Sequence, residues 1–224
     1  MGVATSAHAD EATPLDTFLG GRTRYAVAAL GDSITDTRVG GGRYMAALSR
    51  RCPKSRFDAY GVGGQQTRHV RWRFGQDLFG DGLRGQAAQK PRYDHVIVLA
   101  GVNDFAGGLV DEARVAKTKE HLAWLYRTGR ERGLAVVATT VPPWGHMHGE
   151  HDLAITRELN GWIGAQATLG NVARVVDVAS VVSCDESTLC DAFRRTPRDG
   201  IHWNDAGHEA VAEALYRDVF ADCD

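Results

Sequence analysis

The chain has 224 residues, of which 43% are hydrophobic and 24% charged, and its net charge is −2. That composition belongs to a globular chain able to bury a core, and it supplies no strong field to gather nucleic acid or an anionic membrane surface. No apolar run approaches the roughly 20 residues of a membrane-spanning helix, so the expected partner is a small molecule or a neutral polymer.

In chain order, the opening "MGVATSAHADEATP" has no hydrophobic stretch and is not an intact signal peptide. It does carry Ala7-His8-Ala9, the small-x-small pattern of a cleavage site, so residues 1–20 read as a tail, either the remnant of a trimmed signal or a plain polar segment. Residues 21–224 read as one domain. "RYAVAAL" (24–30) predicts the first strand, "GGRYMAALSRR" (41–51) a helix, and "RFDAYGV" (56–62) a second strand. "DHVIVLAG" (94–101) is the clearest strand, because the continuous apolar run Val96–Ala100 suits burial on both faces. A helix follows over 111–132, ended by Gly133, then a strand over 134–141, stopped by Pro142-Pro143. Residues 152–168 predict another helix, 172–179 a last strand and 205–220 a closing helix. This alternation predicts an α/β fold, a parallel sheet with helices on both faces, whose ligand site lies at the carboxyl ends of the strands.

Four loops at that edge carry chemistry. After the first strand comes Gly31-Asp32-Ser33, where Ser33 is expected to open a helix, as an N-cap or as a nucleophile beside free N–H groups. After the second comes "YGVGGQQT" (60–67), whose glycines let a backbone N–H approach a ligand closely; Gln66 breaks any GxGxxG dinucleotide pattern. After the third comes Gly101-Val102-Asn103-Asp104, where Asn103 either makes an Asx turn or donates its amide to an oxyanion. Just before the last helix, "RDGIHWNDAGH" places Asp199 three residues before His202, a spacing that lets the carboxylate hold the imidazole. An acid-oriented histidine is what a serine requires as its base. Each loop alone has a plain structural reading; together, at one edge of one sheet, they make Ser33 a nucleophile rather than a cap. Thr35 stands where a GxSxG elbow needs its second glycine, which argues against the α/β-hydrolase fold.

The ordered set of GDS, a glycine-rich block, GxND and DxxH, spanning residues 31–202, resembles the SGNH hydrolases, also called the GDSL esterase/lipase family. The resemblance implies a flavodoxin-like three-layer α/β/α sandwich with a mainly five-stranded parallel sheet. It implies ester hydrolysis, with Ser33 as nucleophile, His202 as base and Asp199 orienting it. The backbone N–H groups of Ser33 and Gly64 and the side-chain amide of Asn103 would form the oxyanion hole. The family's second block usually starts with asparagine a few residues before the glycines; Ala59-Tyr60 stand here, which leaves Gly63 as a competitor to Gly64. The first block reads GDSIT rather than GDSLS. An acyltransferase on the same site, or a binding module with a decayed one, are the alternatives.

No cofactor is expected. Trp144 and Trp203 are expected to line an acyl or sugar pocket. His146, His148 and His151 are read as a polar loop at the pocket rim rather than a metal site, since HExxH is absent. Arg68, Arg71 and Arg73, with Trp72 and Phe74, read as a solvated helix face. The absence of a lipid-binding insertion favours short acyl groups, such as acetyl on a carbohydrate. Among the cysteines, Cys184 and Cys190 read as a local disulfide of a secreted or periplasmic protein or as two free thiols in a cytosolic loop, with Cys52 and Cys223 as a second candidate pair.

Overall fold

The computed structural model describes residues 23–82, 90–106, 110–144, 149–185 and 187–224. Ala7-His8-Ala9 and the 1–20 tail lie outside the described residues. Five short strands rich in Val and Ala, β1 (Ala26–Gly31), β2 (Arg56–Gly61), β3 (His95–Leu99), β4 (Ala135–Thr139) and β5 (Arg174–Val176), pair in the order β2-β1-β3-β4-β5. Every pairing is parallel; Ala29 of β1 sits opposite Ala59 of β2 and Ile97 of β3. Val27, Ala28, Ala29 and Leu30 of β1, an interior strand, are fully buried, as a strand covered on both faces requires.

The helices are α1 (Arg43–Arg51), α2 (Thr67–Phe79), α3 (Val102–Phe105), α4 (Glu112–Glu131), α5 (Gly149–Ala165), α6 (Val178–Val182) and α7 (Asp205–Leu215), the last continued by a π turn over Tyr216–Phe220. They form two packed groups: α1 and α6 lie against α7, and α2 and α5 against α4. The groups enclose the sheet in the α/β/α sandwich expected from the sequence. No described helix is long and apolar enough to cross a membrane.

Several boundaries differ by a few residues from expectation, and one has a clear cause. The strand expected over 172–179 stops at Val176, because Asp177 caps a helix by accepting the Ser180 N–H and hydroxyl, turning Val178–Val182 into α6. The cysteines pair as Cys52–Cys223 and Cys184–Cys190. The first pair ties the end of α1 to the carboxyl terminus across a separation of 171 residues.

Candidate active site

β1 ends at Gly31, where a Cβ would stand 2.6 Å from the Leu99 carbonyl and 2.4 Å from Thr35 Oγ1; only glycine fits. The chain then turns at once. Thr35 N–H donates to the Asp32 carbonyl at 3.1 Å and Ile34 N–H to Asp32 Oδ1 at 3.0 Å. Ser33 therefore sits at the tip of a hydrogen-bonded turn and opens no helix, contrary to the sequence-based expectation. The next α-helix starts only at Arg43, after a 3-10 turn at Thr37–Val39 capped by Asp36. The local reason is the Asp32 side chain, which captures the Ile34 N–H and closes a turn instead of a helix. Any oxyanion assistance here comes from individual N–H groups, not from a helix dipole.

His202 reaches Ser33 from the other end of the chain, with Nε2 2.8 Å from Ser33 Oγ. Its loop is held twice. The N–H groups of Ile201 and His202 donate to Asp199 Oδ1 at 3.1 and 2.9 Å, and Arg194 pairs with Trp203 in an antiparallel bridge. Both Asp199 oxygens lie 3.1 Å from His202 Nδ1. Burial pushes the Asp199 carboxyl upward, but the two N–H groups and the imidazole outweigh it and hold it below its ordinary value. An ionised acceptor facing Nδ1 puts the proton on that nitrogen and leaves the Nε2 lone pair toward the serine hydroxyl.

The glycine-rich loop lies against Ser33: a Cβ on Gly63 would be 3.9 Å from Ser33 Cβ. Gly63 N–H is already occupied, donating to Asp36 Oδ2 at 3.0 Å. Asp36 is held by Arg38 through two contacts of 2.8 Å, and that guanidinium lowers its carboxyl to about 2. Gly64 takes a left-handed φ of +74°, and among the described residues its N–H and that of Ser33 have no hydrogen-bond partner. Asn103 sits in α3, one Nδ2 hydrogen donated to the Gln65 carbonyl at 3.1 Å, so that a second hydrogen remains. Asp104 beside it is structural: it accepts the Thr67 N–H at 2.9 Å and the hydroxyl at 2.7 Å, fastening the start of α2.

Phe74 is buried rather than solvated, and Arg73 beside it was likewise misplaced by sequence reasoning. It is buried, not solvated: Nη2 donates to the Gly31 carbonyl and Nε to Gln65 Oε1, both at 2.6 Å, and Nη1 pairs with Asp77. One guanidinium thus couples the strand end before Ser33 to the loop carrying Gly64. Its position was readable, since Arg73 lies three residues after Val70 on the buried stripe of α2 and four before a carboxylate. Trp72, by contrast, is 84% exposed.

The two tryptophans are core side chains, not pocket lining. Trp144 is buried against Phe105 and donates Nε1 to Thr156 Oγ1 at 3.0 Å; Trp203 is buried edge-on to His208. Of the histidine loop, His146 and His148 lie outside the described residues, while His151 Nε2 donates to the Val110 carbonyl at 3.1 Å. Among the described residues no cluster of His, Cys, Asp or Glu is arranged to hold a metal. A cavity of about 510 Å³ opens beside Gln66 and Asp104 and is lined by Arg68, Arg114, Lys117 and His121. A second, of about 580 Å³, lies over the ends of β4 and β5 beside Asn160 and Asp177; Ser33, Gly64, Asn103 and His202 are not among its walls.

The sequence matches the GDSL-like lipase/acylhydrolase family over residues 29–210, from β1 into α7. The chain belongs to that family. Solved structures agree in fold. A G-D-S-L family protein from Desulfitobacterium hafniense superposes with a TM-score of 0.67 at 16% identity, covering 87% of this chain and 99% of that one. The acetyl xylan esterase AlAXEase gives 0.64 at 19% identity (86% and 98% covered). An acetylxylan esterase from Geobacillus stearothermophilus gives 0.63 at 18% (86% and 93%). No curated protein matches the chain.

Proposed function

We propose that this GDSL-family hydrolase is a serine carboxylesterase that cleaves short-acyl, acetyl-type esters of a hydrophilic alcohol. The observation that carries the reading is the unbroken contact chain from Ser33 Oγ to His202 Nε2 (2.8 Å) and from His202 Nδ1 to Asp199 (3.1 Å). In the first step Ser33 Oγ attacks the ester carbonyl as its proton passes to Nε2. The oxyanion is taken by the Ser33 N–H, the Gly64 N–H and the second Nδ2 hydrogen of Asn103. Collapse of the tetrahedral species expels the alcohol, which receives the proton from His202. Water then repeats the sequence on the acyl-enzyme, releasing the acid and restoring Ser33. Gly64, not Gly63, is the backbone donor in this scheme, because Asp36 already accepts the Gly63 N–H.

The short-acyl preference rests on the sequence, where no lipid-binding insertion interrupts the family's blocks. The polar cavity beside Gln66 has none of Ser33, Gly64, Asn103 and His202 among its walls, so it does not bear on the acyl group. The acetyl xylan esterases among the structural neighbours lend the carbohydrate ester support by fold alone. The two disulfides support residence in an oxidising compartment, with residues 1–20 as a tail before a single catalytic domain.

The test is hydrolysis of p-nitrophenyl esters from acetate to palmitate, with Ser33→Ala alongside. Activity greatest on acetate and lost in the variant is the expected result; full activity in Ser33→Ala overturns the mechanism, and a maximum at long chains overturns the substrate class.

A further inference from the structure

We propose that Arg195 is a positioning residue of this centre: its guanidinium shares the Asp199 carboxylate with His202 and clips that pair to the loop that carries Ser33. The inference rests on the roles of Ser33, His202 and Asp199 proposed above.

Arg195 is set beside His202 by the backbone. Its N–H donates to the His202 carbonyl at 3.0 Å, next to the Arg194–Trp203 bridge. Its side chain then runs along the far side of the acid. Nε and Nη2 lie 3.1 and 3.0 Å from Asp199 Oδ2, and Nη2 is 3.2 Å from His202 Nδ1. Nη1 donates to the Val39 carbonyl at 3.3 Å, at the end of the 3-10 turn that follows Ser33. A guanidinium can only donate. It therefore cannot bond a protonated Nδ1, and the two groups converge on one carboxylate. When the imidazole takes the serine proton, Asp199 faces two cations instead of one, and its pull on the imidazolium is divided. A carboxylate shared in this way holds the imidazolium less tightly than Asp199 alone would.

Among the described residues, other charged or titratable groups stand near His202 without a hydrogen bond to it; Arg198, exposed beside Asp199, is one of them. On the Ser33 side Asp36 is paired with Arg38 and Asp32 is buried. Behind Trp203, His208 is buried beside Tyr44, and Arg43 is paired with Asp205. Arg195 is thus the cation in direct contact with the Asp199–His202 pair. Its side chain is 43% exposed, so a near-aqueous dielectric governs the size of its effect. A unit charge about 4 Å away then displaces a titration by about 0.7 pH unit.

The experiment is the pH dependence of kcat/KM on p-nitrophenyl acetate for the wild type, Arg195→Gln and Arg195→Lys. Glutamine removes the charge while keeping a donor for Val39; lysine keeps the charge and loses the fork. The acid limb is expected to move up by about 0.7 unit in Arg195→Gln and to stay near its wild-type position in Arg195→Lys. The ring C–H resonances of His202, followed by NMR in a Ser33→Ala background, should move in the same sense whether or not the ester is turned over. An unmoved limb and unmoved resonances in Arg195→Gln would overturn the proposal, as would equal displacement in both variants. Failure of the underlying mechanism has a separate signature, since Ser33→Ala would then retain esterase activity.

Discussion

Asp32 gives the sharpest physical test of the site's construction. It is fully buried immediately before Ser33; Oδ1 accepts the Ile34 N–H, and Oδ2 has no partner among the described residues. Burial pushes its carboxyl up to about 7, against the partial relief of the Ile34 N–H, with Asp104 raising it further and Arg73 lowering it. In the unfolded chain the same group titrates near 3.8. Between those two values the folded protein holds a proton that the unfolded one has released, so stability falls as pH rises through the window and the loss is complete above about 7. Three pH units at about 1.4 kcal/mol each set the scale at about 4 kcal/mol. Asp32→Asn keeps the acceptor for Ile34, keeps the shape and removes the titration. Denaturant unfolding of both proteins at pH 4.5 and pH 8 should show the variant gaining on the order of 3 kcal/mol relative to wild type at the higher pH. A difference independent of pH, or one that favours wild type at pH 8, would refute the reasoning, because it would mean Asp32 is ionised and satisfied in the folded state.

Asn103→Ala should lower kcat by two to three decades, about 3–4 kcal/mol in the barrier, with little change in KM; a raised KM at normal kcat would remove Asn103 from the oxyanion hole. Gly63→Ala should leave Tm near wild type, since its Cβ meets only Asp36 and Ser33 at 3.8 and 3.9 Å, whereas Gly64→Ala forces a side chain into φ +74° at about 1–2 kcal/mol. Thermal unfolding of the pair would expose an error if the order were reversed. Replacing Cys52 and Cys223 by alanine frees a loop of 171 residues and should cost about 5 kcal/mol by chain entropy; removing Cys184–Cys190, only 6 residues apart, should cost about half as much. Denaturation midpoints that rank the other way would show that the effect lies in the folded state.

The parallel α/β sandwich was legible because its signals are local. The apolar runs of β1, β3 and β4 and the Gly133 stop after α4 are written in consecutive residues, and a buried parallel strand leaves little else for such a run to be. The loops that meet at the carboxyl edge follow from the topology rule, so Ser33, Asn103 and the Asp199–His202 spacing could be named from one dimension. What the sequence could not supply is competition for hydrogen bonds across the fold. Whether Ser33 opened a helix depended on which carbonyl and carboxylate captured the N–H groups of Ile34 and Thr35. Whether Gly63 or Gly64 was free depended on Asp36, 27 residues earlier in the chain. Trp144 and Trp203 were judged by residue type, yet an indole serves a pocket or a core according to what packs on it, and here helices close over both. Arg73 and Arg195 carry the same lesson for charge. Pattern alone made one a surface residue and left the other unremarked, and only the folded chain brings Arg73 under Gly31 and Arg195 between Asp199 and Val39. Periodicity determines which face of an element is buried; the partners of a polar group are settled by distances between segments far apart in sequence, and those exist only once the chain has folded.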